Sequence, residues 1–167
     1  TGAVYYRDHS DEFVTKMSPF TDDVTYTLNF IGKQTAYGGG DYPEAVDSAL
    51  HDAIYKLRWN EKAVARLLFL VLDAPPHINQ KVNENLHRQV KDAAAMGITI
   101  IPVVASGIDK ESEFLFRTWA AYTNGTYVFL TDHSGIGNTH LKASVDDYKV
   151  ELLNDALVRL ITKYTEF

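Results

Sequence analysis

The 167-residue chain contains no cysteine. That excludes disulfide frameworks, thiolate metal sites and thiol catalysis, and it suits an oxidising compartment and a cytoplasm alike. A chain of this length can bury an adequate core as one domain without such staples. Positive charge is also in short supply: 16 Lys and Arg stand against 22 Asp and Glu, a formal net charge of −6. With no clustered basic stripe, nucleic acid and anionic membrane are poor partners. No apolar run reaches membrane-spanning length; the longest, Leu67 to Leu72, is strand-sized. Phosphate-binding glycine loops are missing too. There is no P-loop and no Gly-x-Ser-x-Gly elbow, and Gly135-x-Gly137 lacks the third glycine of a dinucleotide loop. No signal peptide is evident and the first residue is Thr1, so an upstream segment is expected.

What is present alternates between two periodicities. Val4 to Tyr6 and Phe13 to Met17, joined through the turn His9-Ser10-Asp11-Glu12, read as a hairpin with an exposed edge strand. Thr21-Asp22-Asp23 can cap a helix that carries Val24, Leu28 and Ile31 on one face and ends at Gly32. After Gly38-Gly39-Gly40, the residues Ala45, Val46, Ala49, Leu50, Ala53, Ile54 and Leu57 fall on one helical face. Leu67 to Leu72 is apolar throughout, as in a strand buried on both faces of a parallel sheet. A helix with Val82, Leu86, Val90 and Ala94 inward stops at Gly97. Ile98 to Ala105 and Thr126 to Leu130 are two more buried strands, separated by a helix over Glu111 to Tyr122. A loop over Thr131 to Ser144 leads to a last helix with Val150, Leu153, Ala156, Leu157, Leu160 and Ile161 inward. Strands alternating with helices indicate an open, mostly parallel α/β sheet, doubly wound and Rossmann-like, with helices on both faces.

Sites in such sheets form beyond the carboxyl ends of the strands. The residues there are Arg7 and Asp8, Asp73 to His77, Ser106 and Gly107, and Asp132 and His133, with Asp41 closing the glycine loop. Several carboxylates at one end suit a hard divalent cation.

Two segments carry a resemblance. Gly38-Gly39-Gly40-Asp41-Tyr42-Pro43-Glu44-Ala45, followed by Leu68-Phe69-Leu70-Val71-Leu72-Asp73-Ala74-Pro75-Pro76-His77, resembles a von Willebrand factor A domain of bacterial type. The stretch Asn124 to Leu130 and the loop Ser134-Gly135-Ile136-Gly137-Asn138 are similar to members of that family as well. The resemblance implies a mostly parallel sheet of order 3-2-1-4-5-6 with an antiparallel edge strand. It also implies a protein-binding or adhesion function through a metal-ion-dependent adhesion site holding Mg²⁺, or Ca²⁺ or Mn²⁺. Asp73 matches that site's aspartate after the fourth strand, and Asp41 stands where the family has threonine. The family's Asp-x-Ser-x-Ser motif occurs nowhere in the chain. By this alignment residues 1–167 form a single domain lacking the family's first strand and helix. An upstream segment or a second chain is expected to supply that strand, and a location in the cell envelope or outside the cell is favoured.

Plainer readings stand beside these. Asp41 and Glu44 have the spacing of a helix capping box, which needs no metal. Arg7 and Asp8 can form a structural pair in a turn. Asp132, His133 and His140 match no zinc spacing and read as solvated loop residues. Asn124-Gly125-Thr126 fits a glycosylation sequon and also a tight turn. Two other functions compete with metal-dependent binding. One is a metal-dependent phosphohydrolase with Asp73 as nucleophile, although Asp73-Ala74-Pro75 lacks the second aspartate of such enzymes. The other is a metal-free interaction scaffold.

Overall fold

The computed structural model describes residues 1–35, 42–105, 108–130 and 149–166. The architecture is mixed α/β, with five helices, a two-stranded antiparallel sheet and a three-stranded parallel sheet among the described residues. The chain forms two compact units, residues 1–61 with 75–92, and residues 62–74 with 93–167.

The first unit holds β1 (Ala3–Tyr6) and β2 (Thr15–Ser18), paired antiparallel from Ala3↔Ser18 to Tyr6↔Thr15. The hairpin expected from sequence is present, with its second strand starting two residues later than Phe13. Helix α1 (Val24–Gly32) is capped by Asp23, whose carboxylate accepts from the N–H groups of Thr25 and Tyr26. The apolar face expected to point inward does not. Val24, Leu28 and Ile31 are 53%, 61% and 51% exposed, while Thr27 is buried and its hydroxyl lies 3.0 Å from that of Thr1.

Helix α2 (Val46–His51) runs into a π-helical turn over Asp52–Lys56, closed by the Leu57 N–H on the Asp52 carbonyl at 3.2 Å. Ala45, Val46, Ala49, Leu50, Ala53 and Ile54 are buried, as their spacing requires. The N-cap of α2 is Ala45, with no side-chain cap. The helix therefore starts too late for Asp41 and Glu44 to form its capping box, and Asp41 itself lies outside the described residues. The first unit also contains most of α3 (Gln80–Ala95), which buries Val82, Leu86 and Val90.

The second unit is built on β3 (Arg66–Leu72), β4 (Ile98–Val104) and β5 (Val128–Phe129), in the order β3-β4-β5. The β3–β4 register runs without a break from Arg66↔Ile98 to Leu72↔Val104. Among the described residues β3 stands at the edge of this sheet. Its burial also departs from the expected two-sided cover: Leu68, Leu70 and Leu72 are buried but Val71 is 60% exposed. Strand β4 is the buried centre. Pro102, which has no N–H, stands in it one residue before β5 begins to pair at Val103↔Val128. Helix α4 (Lys110–Tyr122) is capped by Asp109 and packs Phe116 and Trp119 edge-to-face at 5.1 Å. Asn124 takes the left-handed conformation, φ 56°, and the next residue must be glycine, since a Cβ at Gly125 would sit 2.0 Å from the Ile100 carbonyl oxygen. Helix α5 (Leu153–Thr165) buries Ala156 and Leu160, whereas Val150 and Ile161 are exposed.

Candidate functional site

The turn after β1 is a compact structure. Asp8 N–H donates to the Asp11 carboxylate at 3.2 Å, Asp11 N–H returns to the Asp8 carbonyl at 3.2 Å, and Arg7 N–H donates to Val14 O at 2.9 Å. The Asp8 side chain, 4% exposed, accepts a hydrogen bond from His77 Nε2 at 2.5 Å and one from the Ser10 hydroxyl at 3.4 Å. Its partners are thus His77 and Ser10. Arg7 instead donates to the Thr35 carbonyl at 2.9 Å and lies over the Phe13 ring at 4.5 Å. The Arg7–Asp8 pairing expected from sequence is corrected accordingly. Burial pushes the Asp8 carboxyl up, but the bonds from His77 and the His9 backbone outweigh it and hold it below the usual value.

His77 is one of a pair. The rings of His9 and His77 lie 5.4 Å apart, and His9 Nε2 approaches Asp47 Oδ1 at 3.7 Å. Four side chains from the β1 turn, α2 and the segment before α3 therefore form two histidine–aspartate pairs side by side. His77 is brought in partly by backbone bonding: the Glu44 N–H donates to the Pro75 carbonyl at 2.9 Å, and Glu44 pairs with Pro76 in an isolated bridge.

A second buried carboxylate lies in the same unit. Asp52, 4% exposed, accepts from the Thr15 hydroxyl at 2.7 Å, from His51 Nδ1 at 3.0 Å and from the Lys56 ammonium at 2.7 Å. Burial raises its pKa, and these three donors more than reverse that, so it stays ionised to lower pH than a free aspartate. A cavity of about 350 Å³ opens beside it, bounded by β2, α2, the π-helical turn and α3, with Asp47, Arg88 and Gln89 among its lining residues. π-Helical turns within α-helices occur often at functional sites.

The residues chosen from sequence fall elsewhere. Asp73 is the first residue after β3, at the carboxyl end of a parallel strand in the second unit, and it is exposed. Asp41, Ser106, Gly107, Asp132, His133 and His140 lie outside the described residues. Among the described residues no group of three His, Asp or Glu side chains has the geometry of a metal site. The strand-end rule did reach Asp8 and His77, but the sequence gives no sign that they pair across 69 positions.

No family model matches the chain. Over 87 residues, 52% of its length, it is 29% identical to a protein of Acanthamoeba polyphaga mimivirus that is named as an ariadne-like RING finger protein. That stretch covers 8% of the mimivirus protein.

Proposed function

We propose that this chain is part of a protein-binding module of the von Willebrand factor A type. The reading rests on the sequence resemblance, and the pairing pattern supports it: an antiparallel β1–β2 pair and a parallel β3-β4-β5 order are what the two halves of a 3-2-1-4-5-6 sheet would contain on either side of strand 1. On this reading the two sheets belong to one doubly wound sheet. Its first strand comes from an upstream segment or a second chain and carries the Asp-x-Ser-x-Ser loop or a variant of it.

The single observation that carries the site is the position of Asp73, exposed and immediately beyond the carboxyl end of a parallel strand. Divalent cations such as Mg²⁺ or Ca²⁺ take six or more oxygen ligands. Among the described residues no group of three or more His, Asp or Glu side chains could hold an ion, so they do not build a cation site unaided. Asp41 and the absent first-strand loop would have to complete it. An aspartate at 41, in place of a neutral threonine, would bind the ion more tightly and leave it less able to attract a partner's carboxylate.

The test is Mg²⁺ titration calorimetry on the full-length protein and on Asp73→Ala. Saturable binding lost in the variant, with an unchanged circular dichroism spectrum, is expected. Equal affinity in both proteins removes Asp73 from the site. Hydrolysis of a generic phosphoester that depends on Asp73 would turn the reading to the phosphohydrolase instead.

A further inference from the structure

The cavity beside α2 and α3 is lined by Asp47 and Gln89, each of which holds one buried side-chain oxygen without a hydrogen-bond partner. Gln89 is 3% exposed, and its Nε2 donates to the Asp47 main-chain oxygen at 3.0 Å. Turning the amide over would set Oε1 against that carbonyl, acceptor against acceptor, so the orientation is fixed by chemistry. Oε1 is then left without a donor. Asp47 Oδ1 is also buried and makes no hydrogen bond; His9 Nε2 at 3.7 Å is within ion-pair reach but beyond hydrogen-bond length. Buried acceptors left unpaired keep their full desolvation penalty, whereas the half-exposed donors at the rim are satisfied by water.

The other charged groups of the cavity hold partners, although that of Arg88 is a neutral amide. Asp52 is saturated by Thr15, His51 and Lys56, and Arg88 donates to the Asn85 side chain at 2.6 Å. Lys56 and Arg88 also line the cavity, but neither donates to the unpaired oxygens of Asp47 and Gln89; an N–H donor would satisfy these, and the Asp47 carboxylate favours one that carries positive charge. We infer that this cavity is a binding site for an ammonium or guanidinium group, received between the Asp47 carboxylate and the Gln89 amide oxygen with His9 displaced from Asp47. Such a group is carried by a free amine or by a lysine or arginine side chain of a protein. The site is independent of Asp73 and of any metal.

The probes are butylammonium and Nα-acetyl-lysine methylamide, titrated by calorimetry into the full-length protein in the presence of EDTA. Saturable one-site binding is expected, weakened on the order of tenfold or more by Asp47→Asn and unchanged by Asp73→Ala. Tighter binding of the lysine derivative assigns the site to a protein side chain, and tighter binding of butylammonium assigns it to a free amine. In the unsubstituted protein the Gln89 side-chain amide resonance should shift on saturation, a readout that needs no variant. Absence of binding by both probes overturns the inference. So does unaltered affinity in a folded Asp47→Asn protein, or an unmoved Gln89 resonance.

Discussion

The unit built on β3, β4 and β5 supplies eight of the twelve largest fully buried side chains: Phe116, Ile98, Ile100, Ile101, Leu160, Val103, Val104 and Pro102. The unit built on β1, β2 and α2 supplies Leu50, Ile54, Val46 and Pro76, and it buries Asp8, Ser18, Thr27, Asp52 and Gln89 as well. The β3-β4-β5 unit buries Ser112, Glu113 and Thr123 too, but it is held mainly by dispersion and water exclusion. The other spends part of its interior on charged and polar groups, each of which needs a partner. The difference is one of degree, and it predicts where substitutions cost most in stability.

The sharpest contrast should come from Phe116→Ala. Phe116 is fully buried and touches Trp119 edge-on. Removing it leaves a cavity, and a loss of roughly 3–5 kcal/mol is expected in chemical denaturation. A loss below about 1 kcal/mol would mean that this core is not the supporting one.

Asp52→Asn addresses the polar unit. It strands Lys56 and weakens the bonds from Thr15 and His51. Because Lys56 is half-exposed its charge is rehydrated, so the expected loss is about 1–2 kcal/mol rather than that of a fully buried pair. The folded-state pKa of Asp52 is depressed. Its contribution is therefore complete above the ordinary aspartate value of about 4 and is lost as the pH falls through the folded value. Denaturation midpoints measured from pH 6 down to pH 2 should converge for the two proteins at the acid end. A constant gap across that range would show that the carboxylate charge is not what matters.

The smallest effect is expected from Asp23→Ala at the start of α1, about 1 kcal/mol, since it removes two capping bonds from an exposed helix. Amide hydrogen exchange should quicken in α1 alone. A global rise in exchange would mean that α1 is part of a core rather than an appendage to it.

The legibility of the chain follows the same division. Regular burial can be read from spacing, so the α2 face from Ala45 to Ile54 and the buried strand β4 stood out. Periodicity marks an apolar stripe but says nothing of whether another element covers it. For that reason the stripe of Val24, Leu28 and Ile31 stays exposed, and Thr27, a polar residue, takes the inward position. Strand β5 shrank from five expected residues to the two that find partners on β4. The polar cluster was illegible for a different reason. Asp8 meets His77, and Gln89 meets Asp47, across 69 and 42 positions, and pairings at such separations leave no local pattern. The strand-end rule supplied Asp8 as a candidate, but adjacency in sequence drew attention to Arg7.

The β3–β4 register carries a consequence for how this protein is made. Each paired residue in β4 follows its partner in β3 by 32 positions, from Arg66↔Ile98 onward (98 − 66 = 32). All of α3 is synthesised between the two, and it can coil within about a microsecond of emerging. The ladder cannot zip until the chain has closed that whole loop, and the cost in chain entropy precedes any return from pairing. During translation the apolar β3 segment must therefore wait for β4 without its partner. At roughly 5–20 residues per second that interval is seconds long, far longer than the helix needs. The nascent chain is most in need of protection, by the ribosome or a chaperone, in the window that opens at Leu72 and closes at Val104.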